Sequence, residues 1–245
     1  MMIPKLDFTA LKHELSEMAE IGLHTAQALR DGNWAHPPAA YEKYGTQSAL
    51  HRGYYCPSPI YDVVIGNCKR GRILNSPQHP RAWFQYSFDE AGDLIAVTHP
   101  VGAALPIREY LFRKGLQVIG ATLDEHQALR FVSMEIYENG MLRDYKTALF
   151  APTQGLSLWN FRRESYEYDS AGLKSADVVQ LDFNGSSCER PILRSADGCQ
   201  ILASYQAKHQ FARKGGYLSA YTTWASWNGE PETESHWKVT IRRKA

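Results

Sequence analysis

Nine histidines and 26 carboxylates give this chain of 245 residues ample material for acid–base chemistry, yet no spacing forces any of them together. Neither Gly-x-Gly-x-x-Gly nor Gly-x-x-x-x-Gly-Lys-Ser/Thr occurs, so no glycine-rich loop is available to cradle phosphate. There is no Gly-x-Ser-x-Gly elbow for a nucleophile and no His-Glu-x-x-His zinc helix; His13-Glu14 lacks a second histidine at the required distance. His13 and His24 share a helix face, but eleven residues separate them by roughly 16 Å of helical rise, too far for one metal ion. Cys56, Cys68, Cys188 and Cys199 form no Cys-x-x-Cys pair, which leaves structural zinc unsupported. In a chain this long they are not the disulfide framework of a small secreted domain, so free thiols are expected. His99, His209 and His236 fall in strand-like contexts and could line one face, although each reads as a surface or core histidine. The expectation is no catalytic residue, no cofactor and no metal.

A second kind of chemistry, recognition by aromatic side chains, is better represented. The phrase Tyr86-Ser87-Phe88-Asp89-Glu90-Ala91-Gly92 returns as Tyr166-Glu167-Tyr168-Asp169-Ser170-Ala171-Gly172, with a looser copy at Glu135-Ile136-Tyr137-Glu138-Asn139-Gly140. Aromatics two apart face one side of a pleated strand. The acidic residue can accept hydrogen bonds from turn amides, and the glycine supplies the left-handed conformation of a tight reversal. A well-built hairpin accounts for every residue of the phrase.

Composition narrows the partners. With 27 basic and 26 acidic side chains the net charge is +1, and the charges are interspersed apart from Lys69-Arg70-Gly71-Arg72 and the terminal Arg242-Arg243-Lys244. That balance argues against a nucleic-acid partner. No apolar run approaches the roughly 20 residues of a membrane span, and Met1 to Asp7 lack the pattern of a secretory signal. The chain reads as cytoplasmic and without a membrane partner.

The elements that must position these residues are one helix and many hairpins. Phe8, Leu11, Leu15, Met18, Gly22, Ala26 and Leu29 recur at spacings of three and four, which predicts an amphipathic helix over 7–31. Asp7 or Thr9 can cap it, and Asp31-Gly32 stops it. Residues 32–80 read as an irregular strap rich in Tyr, His and Pro, with 61–65 its one strand-like stretch. From 81 onward strands pair as 82–88 with 93–99, 106–112 with 116–123, 131–137 with 141–149, 160–168 with 173–183, 191–194 with 199–208, and 217–227 with 234–242. Each pair is closed by a glycine turn. The expected fold is mainly β (α+β): a large antiparallel meander sheet or half-barrel, covered by the N-terminal helix. Residues 1–80 form the helix and strap, and 81–245 the hairpin sheet, within one compact domain.

The repeated phrase is similar to the YD repeat of bacterial Rhs and wall-associated proteins, and it resembles the MORN-variant repeats of some bacterial antitoxin and immunity proteins. The resemblance covers about seven residues per copy, 80 residues apart in the two good copies. It implies a bacterial setting in which small cytoplasmic sheet proteins neutralise a cognate toxin. The expected function is therefore a protein-binding module, an immunity protein that occludes a toxin's active site. Trp34, Tyr41, Tyr44, Tyr54 and Tyr55 are the candidate binding residues, because Tyr and Trp dominate interface energetics. The alternative is an enzyme, either an Rhs-associated toxin domain or a sugar-acting β-protein. Oligomeric state is left open.

Overall fold

In the computed structural model the chain is described at residues 6–32, 37–64, 68–76, 78–102, 106–124, 126, 128–150, 158–183, 193–194, 200–201 and 203–239. Helix α1 spans Phe8–Arg30. Strand β1 (Tyr41–Thr46) follows, then helix α2 (Tyr61–Val64), strand β2 (Ile73–Leu74), and the meander β3 (Ala82–Phe88), β4 (Leu94–His99), β5 (Ile107–Lys114), β6 (Gln117–Leu123), β7 (Leu129–Glu138) and β8 (Met141–Phe150). The chain continues through β9 (Leu158–Asp169), β10 (Gly172–Asp182), β11 (Leu193–Arg194), β12 (Gln200–Ile201), β13 (Ala203–Lys214), β14 (Tyr217–Trp227) and β15 (Thr233–Lys238). Thirteen of these strands are antiparallel neighbours in the order β15-β14-β13-β10-β9-β8-β7-β6-β5-β4-β3-β1-β2, and β11 pairs with β12 in a separate two-stranded sheet. The fold is mainly β with one long N-terminal helix, as the glycine turns and the apolar stripe predict.

The chain divides into two compact units, residues 1–19 with 136–245, and residues 20–135. In the first, Asp7 is the helix cap: its Oδ1 accepts from the amides of Thr9 (3.0 Å) and Ala10 (3.1 Å). Leu11 and Met18 are buried, whereas Leu15 is only half-buried. Glu14 reaches the sheet by ion pairs to Arg163 and to Lys146. In the second unit Gly22 of α1 lies so close to Leu129 and Val132 that a methyl group would overlap both, and Thr25 and Ala26 are buried.

The turns of the repeated phrase behave as the hairpin account requires. Asp89 Oδ1 accepts from the Asp93 amide at 2.9 Å, and Asp169 Oδ1 from the Ala171 amide at 2.8 Å. Tyr86, Phe88 and Tyr166 are buried, so these aromatics are core.

Three expectations need correction. Residues 61–64 are helix, not strand, although three β-branched or aromatic residues favour extension there. The Ser58 hydroxyl accepts from the Tyr61 amide at 3.1 Å, and Arg70 clamps Asp62 and the carbonyls of Cys56 and Ser58, which winds the segment into a turn. The strap is also less irregular than its composition implies, since β1 pairs with both β3 and β2. Residues 203–208 pair with β10 and β14 rather than with 191–194, because β13 runs on to a Gly215-Gly216 turn. The histidines stand as read, His209 in the core and His236 on the surface, on opposite faces. His209 bonds Thr223 and His236 bonds Thr222, and adjacent strand residues point to opposite sides.

Candidate binding surface

Within the unit of residues 20–135, a buried charged cluster fixes the strap to the sheet. Arg52 has a left-handed backbone (φ 57°), a conformation that costs an L-residue roughly 1–2 kcal/mol. Its side chain supplies what holds it there. The guanidinium grips Glu109 of β5 as a fork, Nε to Oε2 at 2.9 Å and Nη2 to Oε1 at 3.0 Å. Nη1 donates to Glu135 of β7, and Nη2 also donates to Ser133 Oγ at 2.7 Å. The Ser133 hydroxyl donates in turn to Glu109 Oε1 at 2.8 Å, and His51 Nε2 meets Glu109 Oε2 at 2.9 Å. The groups occupy the space above Gly120 of β6, where a methyl group would overlap Glu109, Ser133 and Arg52 at once. Only glycine admits this cluster.

Electrostatics follow from the geometry. Burial by itself raises the Glu109 carboxyl, but Arg52 and then His51 outweigh it and hold the group well below the ordinary carboxylate range. Such a carboxylate is a fixed acceptor rather than a base poised near neutrality. Burial pushes the Tyr86 phenol up, and its hydroxyl accepts from the Tyr54 amide at 3.1 Å while donating to the Arg52 carbonyl at 3.2 Å. The strap is thus pinned on both sides of Gly53.

Above these anchors lie the aromatic residues. Tyr41 stacks on Phe88, with centroids 5.0 Å apart and planes 6° apart, and Lys43 Nζ lies 5.1 Å from the Phe88 ring. Tyr55 meets Tyr86 edge-on at 4.7 Å and Phe88 at 5.4 Å, and Tyr54 meets Tyr55 at 5.1 Å. Tyr41 and Tyr54 each keep 43% of their surface exposed, and Tyr55 is half-buried. So Tyr41, Tyr54 and Tyr55 join one contiguous cluster. Tyr44 does not belong to it. Three residues along β1 from Tyr41 it points to the other face, where its hydroxyl donates to Glu42 at 2.7 Å. Trp34 lies outside the described residues.

His51, Arg52, Glu109, Ser133 and Glu135 escape sequence reasoning because 24 to 83 residues separate the partners. One signal was available: Gly120 interrupts an apolar strand, and such glycines mark close approach. Among the described residues no group of three or more His, Cys, Asp or Glu side chains could hold a metal ion, and no helix is long and apolar enough to cross a membrane. Cys56 and Cys68 are free thiols; Cys188 and Cys199 lie outside the described residues. No protein-family model matches the chain, and no curated protein matches it.

Proposed function

We propose that this chain is a protein-binding module whose contact surface is built on Tyr41, Tyr54 and Tyr55, and most concretely an immunity protein that covers the active site of a cognate bacterial toxin in the cytoplasm. The observation that supports this reading is the pairing of exposed aromatics with a buried clamp beneath them. A binding surface gains affinity when its anchors are ordered before contact, and Arg52, Glu109 and Tyr86 order this one. The resemblance of the repeated phrase to immunity-protein repeats supports the choice of partner.

Co-expression tests the proposal. The chain should restore growth to cells producing the toxin encoded beside its gene, and the two proteins should co-purify. The enzyme alternative draws on His51, an imidazole oriented by Glu109. Turnover of RNA, DNA, protein or glycan by the purified chain, with no protein partner retained, would decide for it.

A further inference from the structure

The strand β15 ends the sheet, and among the described residues its outer edge pairs with nothing. Such an edge is a ready template for another strand. The ladder to β14 fixes which groups are on offer. The Val239 amide donates inward to the Ser219 carbonyl at 2.9 Å, in register with Ala220↔Lys238 and Tyr221↔Trp237. Backbone groups alternate along an antiparallel strand, so those of Glu234, His236 and Lys238 point outward.

Side chains on the same strand are self-complementary. Glu234 and Lys238 share one face on either side of His236. The Glu234 carboxylate is already oriented, its Oε2 accepting from Trp224 Nε1 at 2.9 Å and its Oε1 lying 3.2 Å from His236 Nε2, while Lys238 makes no hydrogen bond or ion pair with any described residue. On the opposite face Trp237 is stacked on Tyr221 (17° between planes) yet remains 53% exposed.

We propose that β15 is a homodimer interface, in which two copies of this chain join their sheets edge to edge about a twofold axis through His236. Centring on His236 sets Glu234 of each copy opposite Lys238 of the other, and every outward amide and carbonyl of the strand finds a partner. The same register sets Ser235 opposite Trp237, which makes the two Trp237 residues diagonal neighbours with backbones about 7–8 Å apart, within reach for aromatic side chains. Centring on Ser235 instead would set Glu234 opposite His236 and send Lys238 beyond the strand's end. The dimer uses an edge remote in sequence from Tyr41, Tyr54 and Tyr55, so it stands independently of the proposed function.

Sedimentation velocity of the full chain over a rising concentration series tests it. The mass should climb from 27.7 kDa toward twice that value. Glu234→Lys and Lys238→Glu should each abolish the rise at concentrations where the parent is dimeric, and the double exchange should restore it. Circular dichroism checks that each variant folds; if Glu234→Lys disturbs the strand through Trp224, Lys238→Glu alone decides. A parent that stays at 27.7 kDa throughout overturns the proposal. So does a dimer that survives Lys238→Glu, or a correctly folded double exchange that fails to restore it.

Discussion

At Glu109 two opposing effects meet, since burial disfavours the carboxylate while Arg52 and His51 favour it. The charges win, so the folded chain keeps Glu109 ionised below its ordinary value of 4.5. The unfolded chain therefore binds the proton first as the solution acidifies. The stabilisation is complete above about pH 4.5 and is lost as pH falls below it. Replacing Glu109 with Gln should cost about 3–5 kcal/mol at neutral pH, the usual penalty for stranding a buried charge, as read from urea unfolding. It should also flatten part of the acid limb. Gly120→Ala should cost about 1–3 kcal/mol, because the methyl group has no space beside Glu109, Ser133 and Arg52. His209 works in the other direction of charge. Burial, helped by Arg162, lowers it from 6.5 to about 4, and its Nε2 has no hydrogen-bond partner among the described residues. The folded chain holds it neutral while the unfolded chain protonates, so stability should fall by about 3 kcal/mol between pH 6.5 and pH 4. In His209→Gln that slope should disappear from urea midpoints measured across the window. A slope left unchanged would mean that the fold does not lower the proton affinity of His209.

Among the elements, α1 gives the plainest test. Leu11→Ala and Met18→Ala should each cost about 2–5 kcal/mol in thermal or urea unfolding, and half-buried Leu15→Ala should cost less. A loss under half a kcal/mol at Met18 would mean that the helix is peripheral. The helix and most hairpins were legible because they rest on local signals: a stripe of period 3.6, and glycine turns such as Asn139-Gly140, where both residues take positive φ. Strand β1 was not legible. Its residues Tyr-Glu-Lys-Tyr-Gly-Thr carry no apolar alternation, and its position is set by register to Phe88 and Tyr86. The segment 61–64 misled for the opposite reason, its β-branched residues being overruled by Ser58 and Arg70. The site divides the same way. Tyr41, Tyr54 and Tyr55 were visible by residue type, whereas Tyr44 requires the pleat to be placed and Arg52 requires contacts across 57 residues.

For the molecule as a whole, the proposed function places recognition where exposed tyrosines rest on a fixed base. That arrangement keeps the ordering cost of binding low, because Tyr41 is already stacked on Phe88 and Tyr54 is already tied through its amide to Tyr86. It also separates the two roles of charge and ring. Arg52 and Glu109 hold the strap, and the rings are left exposed to meet the proposed partner. The most direct test is calorimetric titration of the co-purified partner against Tyr41→Ala and Tyr54→Ala, with Tyr44→Ala as the control on the opposite face and circular dichroism to verify folding. Tyr41→Ala and Tyr54→Ala should each weaken binding by about 2 kcal/mol or more, roughly thirtyfold in Kd, while Tyr44→Ala leaves it near the parent value. Parent-like affinity in both folded variants would contradict the account and make the strap purely structural.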